Sequence, residues 1–103
     1  MTIRFARAVH PGEYLREEYL LPLAISAESL AKRLNLPRRR IERLIREEAG
    51  ITPDTALRLA RAFATTPQFW LNFQNAYDLE IAARKVADSL ARIEPIIDTS
   101  EAA

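Results

Sequence analysis

The sequence predicts an all-α fold of five helices, of which the last is long. Apolar residues recur at three- and four-residue spacings along most of the 103 residues, as they do in amphipathic helices. Serine or threonine precedes three of the predicted helices, where a hydroxyl caps free backbone N–H groups. The one stretch that could form a strand is RIEPII, residues 92–97. We expect a single domain over residues 1–103, because the chain has the length of one compact unit.

The first helix is predicted to begin at Pro11, since proline suits a first helical turn, and to end at Pro22. Leu15 and Tyr19 lie one turn apart and should face the core. His10 is the only histidine, and the sequence contains no cysteine to join it in a metal site. We therefore interpret His10 as a helix-start residue, and we expect no metal and no cofactor.

The second and third helices are joined by about three residues, which predicts a helix-turn-helix over about residues 26–48. Ser26 suits the N-cap of the second helix, and Asn35 suits a left-handed residue at its end. Pro37 is predicted at the first position of the third helix. The residues expected to pack the two helices together and against their neighbours are Leu30, Ala31, Leu34, Leu36, Ile41 and Leu44.

The last two helices begin alike, because Thr52 and Thr66 each place a hydroxyl before a proline. The fourth helix, about residues 53–64, is expected to bury Ala56, Leu57, Ala60 and Phe63. The fifth, about residues 67–91, carries an aromatic run that we interpret as core or dimer interface rather than a platform for stacking bases. A core this small cannot cover so long a helix, which favours a two-fold homodimer over packing against the first helix alone. The residues expected at the dimer interface are Trp70, Tyr77 and Ile81.

Positive charge is concentrated in the helix-turn-helix, although the net charge is only +1. Residues 26–50 contain seven basic and four acidic residues, and the rest of the chain contains eight basic and ten acidic. The outward face of the third helix is expected to hold Arg38, Arg39, Glu42, Arg43 and Arg46. Together with Arg40, these are the expected DNA-binding residues. A helix fits the major groove, and arginine forks match both guanine edges and phosphates.

Within this set we expect two kinds of contact. The base edges are assigned to Arg38, Arg39, Glu42 and Arg43, and phosphates to Arg40 and Arg46. Glu42 is four residues from Arg38 and from Arg46, so it could hold either arginine in place, or it could accept from a cytosine amino group. The alternative is a charged helix face that only meets solvent.

Other function classes find little support. Neither a nucleophile–base arrangement nor a glycine-rich phosphate loop is recognisable, so we do not expect an enzyme. Apolar runs are too short to span a bilayer, and the N-terminus lacks the apolar core of a signal peptide. The absence of cysteine fits a reducing compartment, and we expect a cytoplasmic protein.

Three specific motifs accompany the helix-turn-helix: HPGE, GITPDTALRLA and FWLNFQNAYDL. On these motifs, residues 10–44 and 50–82 resemble HigA-type antitoxins of the XRE (lambda-repressor-like) family. The resemblance implies a five-helix lambda-repressor-like domain that forms a homodimer, binds a palindromic operator and represses its own toxin–antitoxin operon. It also implies a partner, a HigB-type mRNA-cleaving toxin that the antitoxin neutralises. Relatives usually carry glycine and asparagine near residues 46–48, where this chain has REEAG, which favours a longer third helix.

Two other hypotheses stay open. One is an orphan XRE-type transcriptional regulator without a toxin. The other is a protein-interaction module with a vestigial helix-turn-helix, which the acidic residues Glu42, Glu47 and Glu48 would favour. If a toxin binds, residues 1–9 and 92–103 are candidates for the surface that contacts it.

Overall fold

The computed structural model describes residues 7–97, in which six helices form. Helix α1 is continuous through Pro11–Leu15, a π-helical turn at Arg16–Leu20, and Leu21–Leu23. The others are α2 Ala27–Leu34, α3 Arg38–Ile45, α4 Pro53–Phe63, α5 Pro67–Lys85 and α6 Ala87–Ala91. Strands are absent from residues 7–97, so the prediction of a possible strand at 92–97 is wrong. The candidate toxin-contact segments 1–9 and 92–103 lie partly outside the described residues.

Helix α1 passes through Pro22, which was predicted to end it. The N–H of Leu21 bonds to the carbonyl of Arg16, five residues back, so the turn before the proline is wider than an α-helical turn. A wider turn gives the proline ring room, since in a regular helix the ring clashes with the preceding turn. The helix ends after Leu23, where Ala24 takes a left-handed conformation with φ 54°.

The turn between α2 and α3 follows the local signals read from the sequence. The Ser26 hydroxyl accepts the N–H of Ser29 at 3.0 Å, and Asn35 is left-handed with φ 59°. The N–H of Leu36 bonds to the carbonyl of Ala31 at 2.9 Å, which completes a Schellman motif. Pro37 is the N-cap of α3 rather than its first residue, because its ψ of 139° is extended.

Helix α3 ends at Ile45, so the prediction that REEAG would prolong it is wrong. Glu47 is left-handed with φ 61°, and the N–H of Glu48 bonds to the carbonyl of Arg43 at 2.9 Å. These bonds form a second Schellman motif. The intrinsic helix propensity of glutamate is outweighed by this local bonding and by contacts with α1 described below.

The core lies where α1, α2, α3, α4 and the start of α5 meet. Its buried apolar side chains are Leu15, Leu20, Leu30, Ala31, Leu34, Ile41, Leu44, Ile51, Ala56, Leu59, Ala60 and Trp70. Leu57 was predicted to be buried but is 59 % exposed, whereas Leu59 is fully buried. Side chains two positions apart on a helix point in directions that differ by about 200°. Ala56, Leu59 and Ala60 can therefore share the core face, while Leu57 cannot.

The predicted fifth helix divides into α5 and α6 at Val86, whose φ of −108° and ψ of 14° are not helical. Trp70 is completely buried, and its indole N–H donates to the Thr65 hydroxyl at 2.7 Å. Assigning Trp70 to a dimer interface was therefore wrong, because its side chain has no surface left for a second protomer. Beyond Ile81 every described residue is exposed, so residues 82–97 extend away from the core. No helix within residues 7–97 is long and apolar enough to cross a membrane.

Candidate nucleic-acid interface

Helix α3 has one buried and one cationic face. Ile41 and Leu44 are 0 % and 1 % exposed and anchor the helix in the core. The opposite face exposes the guanidinium groups of Arg38, Arg39, Arg43 and Arg46, with Glu42 half-buried among them. Arg40 is exposed on the flank of the helix that faces α4. The structure thus places all six sequence-predicted DNA-binding residues on one helix of eight residues and its C-cap. Such a face offers both charge and directional N–H donors to an anionic partner.

Arg38 is held by two carboxylates. Its Nε donates to Glu42 Oε2 at 3.0 Å, and its Nη1 lies 3.6 Å from Glu28 Oε2 on α2. Glu42 pairs with Arg38 rather than with Arg46. Exposed pairs of this kind contribute little stability, about 0.2–1 kcal/mol, but they restrict the rotamers of the arginine. Arg38 is therefore the most constrained cation at the start of α3.

Arg40 belongs to a chain of contacts that crosses three helices. Its Nη1 donates to Asp54 Oδ2 at 3.1 Å, while Asp54 Oδ1 accepts the Nε of Arg58 at 3.1 Å. The Nη1 of Arg58 in turn donates to the carbonyl of Leu34 at 2.8 Å, at the end of α2. Arg58 thus satisfies a free carbonyl at a helix C-terminus.

The remaining cations of α3 are available. Within the part of the chain that the structure describes, Arg39, Arg43 and Arg46 form no ion pair. Arg39, Arg40 and Arg43 line a shallow concavity with Pro37 and Ala49. An anion that enters this concavity would meet guanidinium groups without first displacing a carboxylate from Arg39 or Arg43.

The C-terminal end of α3 rests directly on α1. A methyl group at Gly12 would lie 1.7 Å from the carbonyl oxygen of Leu44, so only glycine permits this approach. Arg16 Nη1 donates to the carbonyl of Ile45, and its Nη2 lies 3.6 Å from Glu47 Oε2. The roles of Gly12 and Arg16 at this contact were not predicted from the sequence. The HPGE motif, which contains Gly12, and the adjoining LREE, which contains Arg16, were the signals that could have indicated them.

His10 ties the start of α1 to α5. Its Nδ1 accepts the N–H of Gly12 at 2.9 Å, and its ring packs edge-on against Tyr77 with centroids 4.8 Å apart. Burial lowers the pKa of the imidazole, against the opposing influence of the nearby Glu47, Asp78 and Glu13 carboxylates. His10 is therefore a neutral helix cap. Among the described residues, no group of three or more histidine, cysteine or acidic side chains is arranged to hold a metal ion.

The aromatic residues of α5 do not form an outward platform. Phe69 and Phe73 are half-buried, and their rings lie 5.5 Å and 4.4 Å from the ring of Tyr14 on α1. Trp70 is covered on all sides. These ring contacts pack α5 against α1. The candidate nucleic-acid-binding surface is therefore on α3.

Comparison with known proteins gives consistent matches. A helix-turn-helix family matches residues 15–70. Virulence-associated protein I of Dichelobacter nodosus is 57 % identical over 75 residues, which cover 73 % of this chain and 69 % of that protein. The structure of Pseudomonas aeruginosa antitoxin HigA with the higBA promoter is 39 % identical, with a TM-score of 0.84, covering 88 % of this chain and 100 % of that one. The structure of a HigA-family addiction module antidote protein from Coxiella burnetii is 44 % identical, with a TM-score of 0.81, covering 86 % of this chain and 98 % of that one.

Proposed function

Because this chain belongs to the helix-turn-helix family and is a HigA-type member of it, we propose that it is the DNA-binding antitoxin of a toxin–antitoxin pair. It represses its own operon as a homodimer and acts by binding rather than by catalysis. The observation that carries the proposal is the exposed arginine face of α3, held from behind by completely buried Ile41 and Leu44. A rigid helix with guanidinium forks on its free side suits the major groove of B-DNA.

The ion pairs divide the arginines by role. Arg39 and Arg43, which have no carboxylate partner within residues 7–97, read base edges, and Arg46 at the end of α3 contacts phosphate. Arg38 approaches the groove in an orientation set by Glu42 and Glu28. Arg40 contacts phosphate and gives up part of its interaction with Asp54 in doing so.

A second copy of the chain covers the extended arm. Residues 82–97 expose apolar side chains that the protomer leaves uncovered, namely Val86, Leu90, Ile93, Ile96 and Ile97. The half-buried Tyr77 and Ile81 lie on α5 just before this arm, and we assign them to the same interface. A two-fold dimer buries such a surface against itself and presents two α3 helices to half-sites about 34–36 Å apart.

The protein partner is a HigB-type toxin, which this chain neutralises in the cytoplasm, where operator DNA and toxin are both present. The matched HigA structures support this assignment by family membership. An orphan regulator would share the DNA-binding surface but would have no toxin. An interaction module with a vestigial helix-turn-helix would bind no DNA.

Two measurements test the proposal. The first is a gel shift that compares DNA from the region upstream of its own gene with a scrambled duplex of equal length, over a salt series. We expect preference for the upstream duplex and a linear fall of log affinity with log salt concentration, because arginine–phosphate contacts release counterions. The control for arginine variants of α3 is Arg61→Ala, which removes an exposed arginine of α4 outside the extended arm.

The second measurement is co-purification with the product of the adjacent gene. A complex that suppresses RNA cleavage supports the antitoxin. Upstream-DNA binding without any such complex would identify an orphan regulator, and a complex without DNA binding would identify an interaction module.

A further inference from the structure

The end of α3 is held by a residue that lies outside the DNA-facing surface. Arg16, on α1, is 29 residues before Ile45, yet its guanidinium donates to the Ile45 carbonyl. The same group lies 3.6 Å from Glu47 Oε2 and 3.5 Å from Glu17 Oε2. Its side chain is 34 % exposed and its donors already face three acceptors. Arg16 therefore links α1 to the end of α3 and is not a free cation.

The segment that Arg16 holds is strained. Glu47 is left-handed, a conformation that disfavours residues with a side chain. Glu47 nevertheless keeps this conformation, closed by its own N–H bond to the Leu44 carbonyl at 3.0 Å. The carboxylate of Glu47 is one of the acceptors of Arg16, so the side chain that causes the strain also provides the attachment to α1.

The two ends of α3 have separate attachments. At the N-terminal end, Arg40 is linked through Asp54 to Arg58 and α2. At the C-terminal end, Arg16 holds the last carbonyl, and Gly12 allows α1 to touch the carbonyl of Leu44. Two fixed ends define the axis of a helix only about 12 Å long, as a rise of 1.5 Å per residue gives for eight residues.

We propose that Arg16 is a positioning residue for DNA recognition, which fixes the tilt of α3 by joining Ile45 and Glu47 to α1. The inference rests on the proposed function. Bidentate hydrogen bonds to a base need well-aligned donors, whereas attraction to phosphates tolerates small displacements. Loss of Arg16 therefore lowers discrimination between sequences more than it lowers general DNA affinity.

The test compares Arg16→Gln with Arg61→Gln, because both remove one arginine charge from a half-exposed or exposed site. Arg61 lies on α4, outside the arm that the second copy covers, and forms no ion pair within residues 7–97. The ratio of affinities for the upstream and scrambled duplexes is measured at one salt concentration below the melting temperature of each variant. We expect this ratio to fall about tenfold for Arg16→Gln, the effect of one misplaced base contact, and to stay unchanged for Arg61→Gln. Arg16→Lys, which keeps the charge but concentrates its donors on one nitrogen, should restore part of the ratio.

The salt series separates positioning from direct contact. If Arg16 acts through α3, the slope of log affinity against log salt is the same for both glutamine variants; a slope lower by about 0.9 for Arg16→Gln alone would show a direct phosphate contact and overturn the inference. A lower melting temperature with an unchanged ratio would show a merely structural role and also overturn it. If Arg16→Gln does not fold, Glu47→Ala, which removes the carboxylate beside Arg16 and keeps the Ile45 bond, must lower the ratio for the inference to stand. Wild-type protein that does not prefer the upstream duplex would contradict the proposed function itself, and this inference with it.

Discussion

Asp54 holds Arg40 at 3.1 Å across the gap between α4 and α3. The two residues are 14 positions apart, and the same carboxylate accepts Arg58 with its other oxygen. Under the proposed function, Asp54 therefore competes with a DNA phosphate for Arg40. This competition would weaken the contact between Arg40 and the phosphate.

Replacing Asp54 should strengthen general DNA binding. In Asp54→Asn, Arg40 no longer shares its charge with a carboxylate, so we expect affinity for scrambled DNA to rise several-fold at low salt and the salt slope to steepen by up to about 0.9. Fluorescence anisotropy over a salt series measures both quantities. Glu18→Gln removes the same charge from the exposed surface of α1 and should change neither; a similar rise in both variants would mean that net charge alone is responsible.

Arg39 should read sequence, since it lies on the exposed face of α3 and has no ion pair within the described residues. We expect Arg39→Ala to weaken binding to the upstream duplex by about 1–3 kcal/mol, and binding to scrambled DNA much less. Titration of both duplexes gives the comparison. Equal losses on the two duplexes would assign Arg39 to the backbone.

Gly12 should tolerate no side chain. Gly12→Ala places a methyl group 1.7 Å from the backbone oxygen of Leu44, and backbone cannot move aside as a side-chain end can. We expect a loss of about 2–3 kcal/mol in the free energy of unfolding, measured by urea denaturation. Gly50→Ala is the control: its Cβ meets the end of the Gln74 side chain at 2.8 Å, so it should cost only about 1 kcal/mol, through the bond between Gln74 and the Ile51 N–H. Equal effects would contradict the packing argument.

Replacing Ala64 with glycine should stabilise the protein, because Ala64 ends α4 in a left-handed conformation with φ 55°. Ala64→Gly relieves this strain and should raise the free energy of unfolding by about 0.5–1 kcal/mol after the greater freedom of glycine in the unfolded chain is subtracted. Ala62→Gly makes the same chemical change inside the helix and should lower it by about 1 kcal/mol. Thermal melts of the two variants measure these changes, and melting temperatures that shift in the same direction would refute the prediction.

Stability should decline in mild acid because of His10. Burial lowers the imidazole pKa in the folded state, so the unfolded chain binds the proton more tightly. The stability that the neutral ring provides is complete above the unfolded pKa of about 6.5 and is lost as the pH falls below that value towards the folded pKa. The protonated Nδ1 can no longer accept the Gly12 N–H.

Melting temperatures measured between about pH 7.5 and pH 5.5 test this expectation, because this pH range spans the usual histidine pKa. His10→Asn keeps a side-chain oxygen for the cap and has no proton to bind, so its melting temperature should change less over the same range. An equal decline in both proteins would place the titrating group elsewhere.

Local signals predicted most of the helix boundaries. Ser26, Thr52 and Thr66 cap the helices that they were expected to cap, and Asn35 is left-handed as expected. These predictions succeed because a cap depends on hydrogen bonds within three or four residues. They fail where distant neighbours decide: REEAG does not extend α3, because Arg16 of α1 and the turn at Glu47 meet its end.

The sequence by itself determined the all-helical order, the helix-turn-helix and the arginine face of α3, because apolar spacing and charge on one helix depend on residues that are close along the chain. Only the tertiary structure decided that Trp70 is interior, that Arg40 pairs with Asp54 while Arg39 and Arg43 form no ion pair within residues 7–97, and that Arg16 bonds to the end of α3. These properties arise from side chains that are remote in sequence and that only folding brings within a few ångströms of one another.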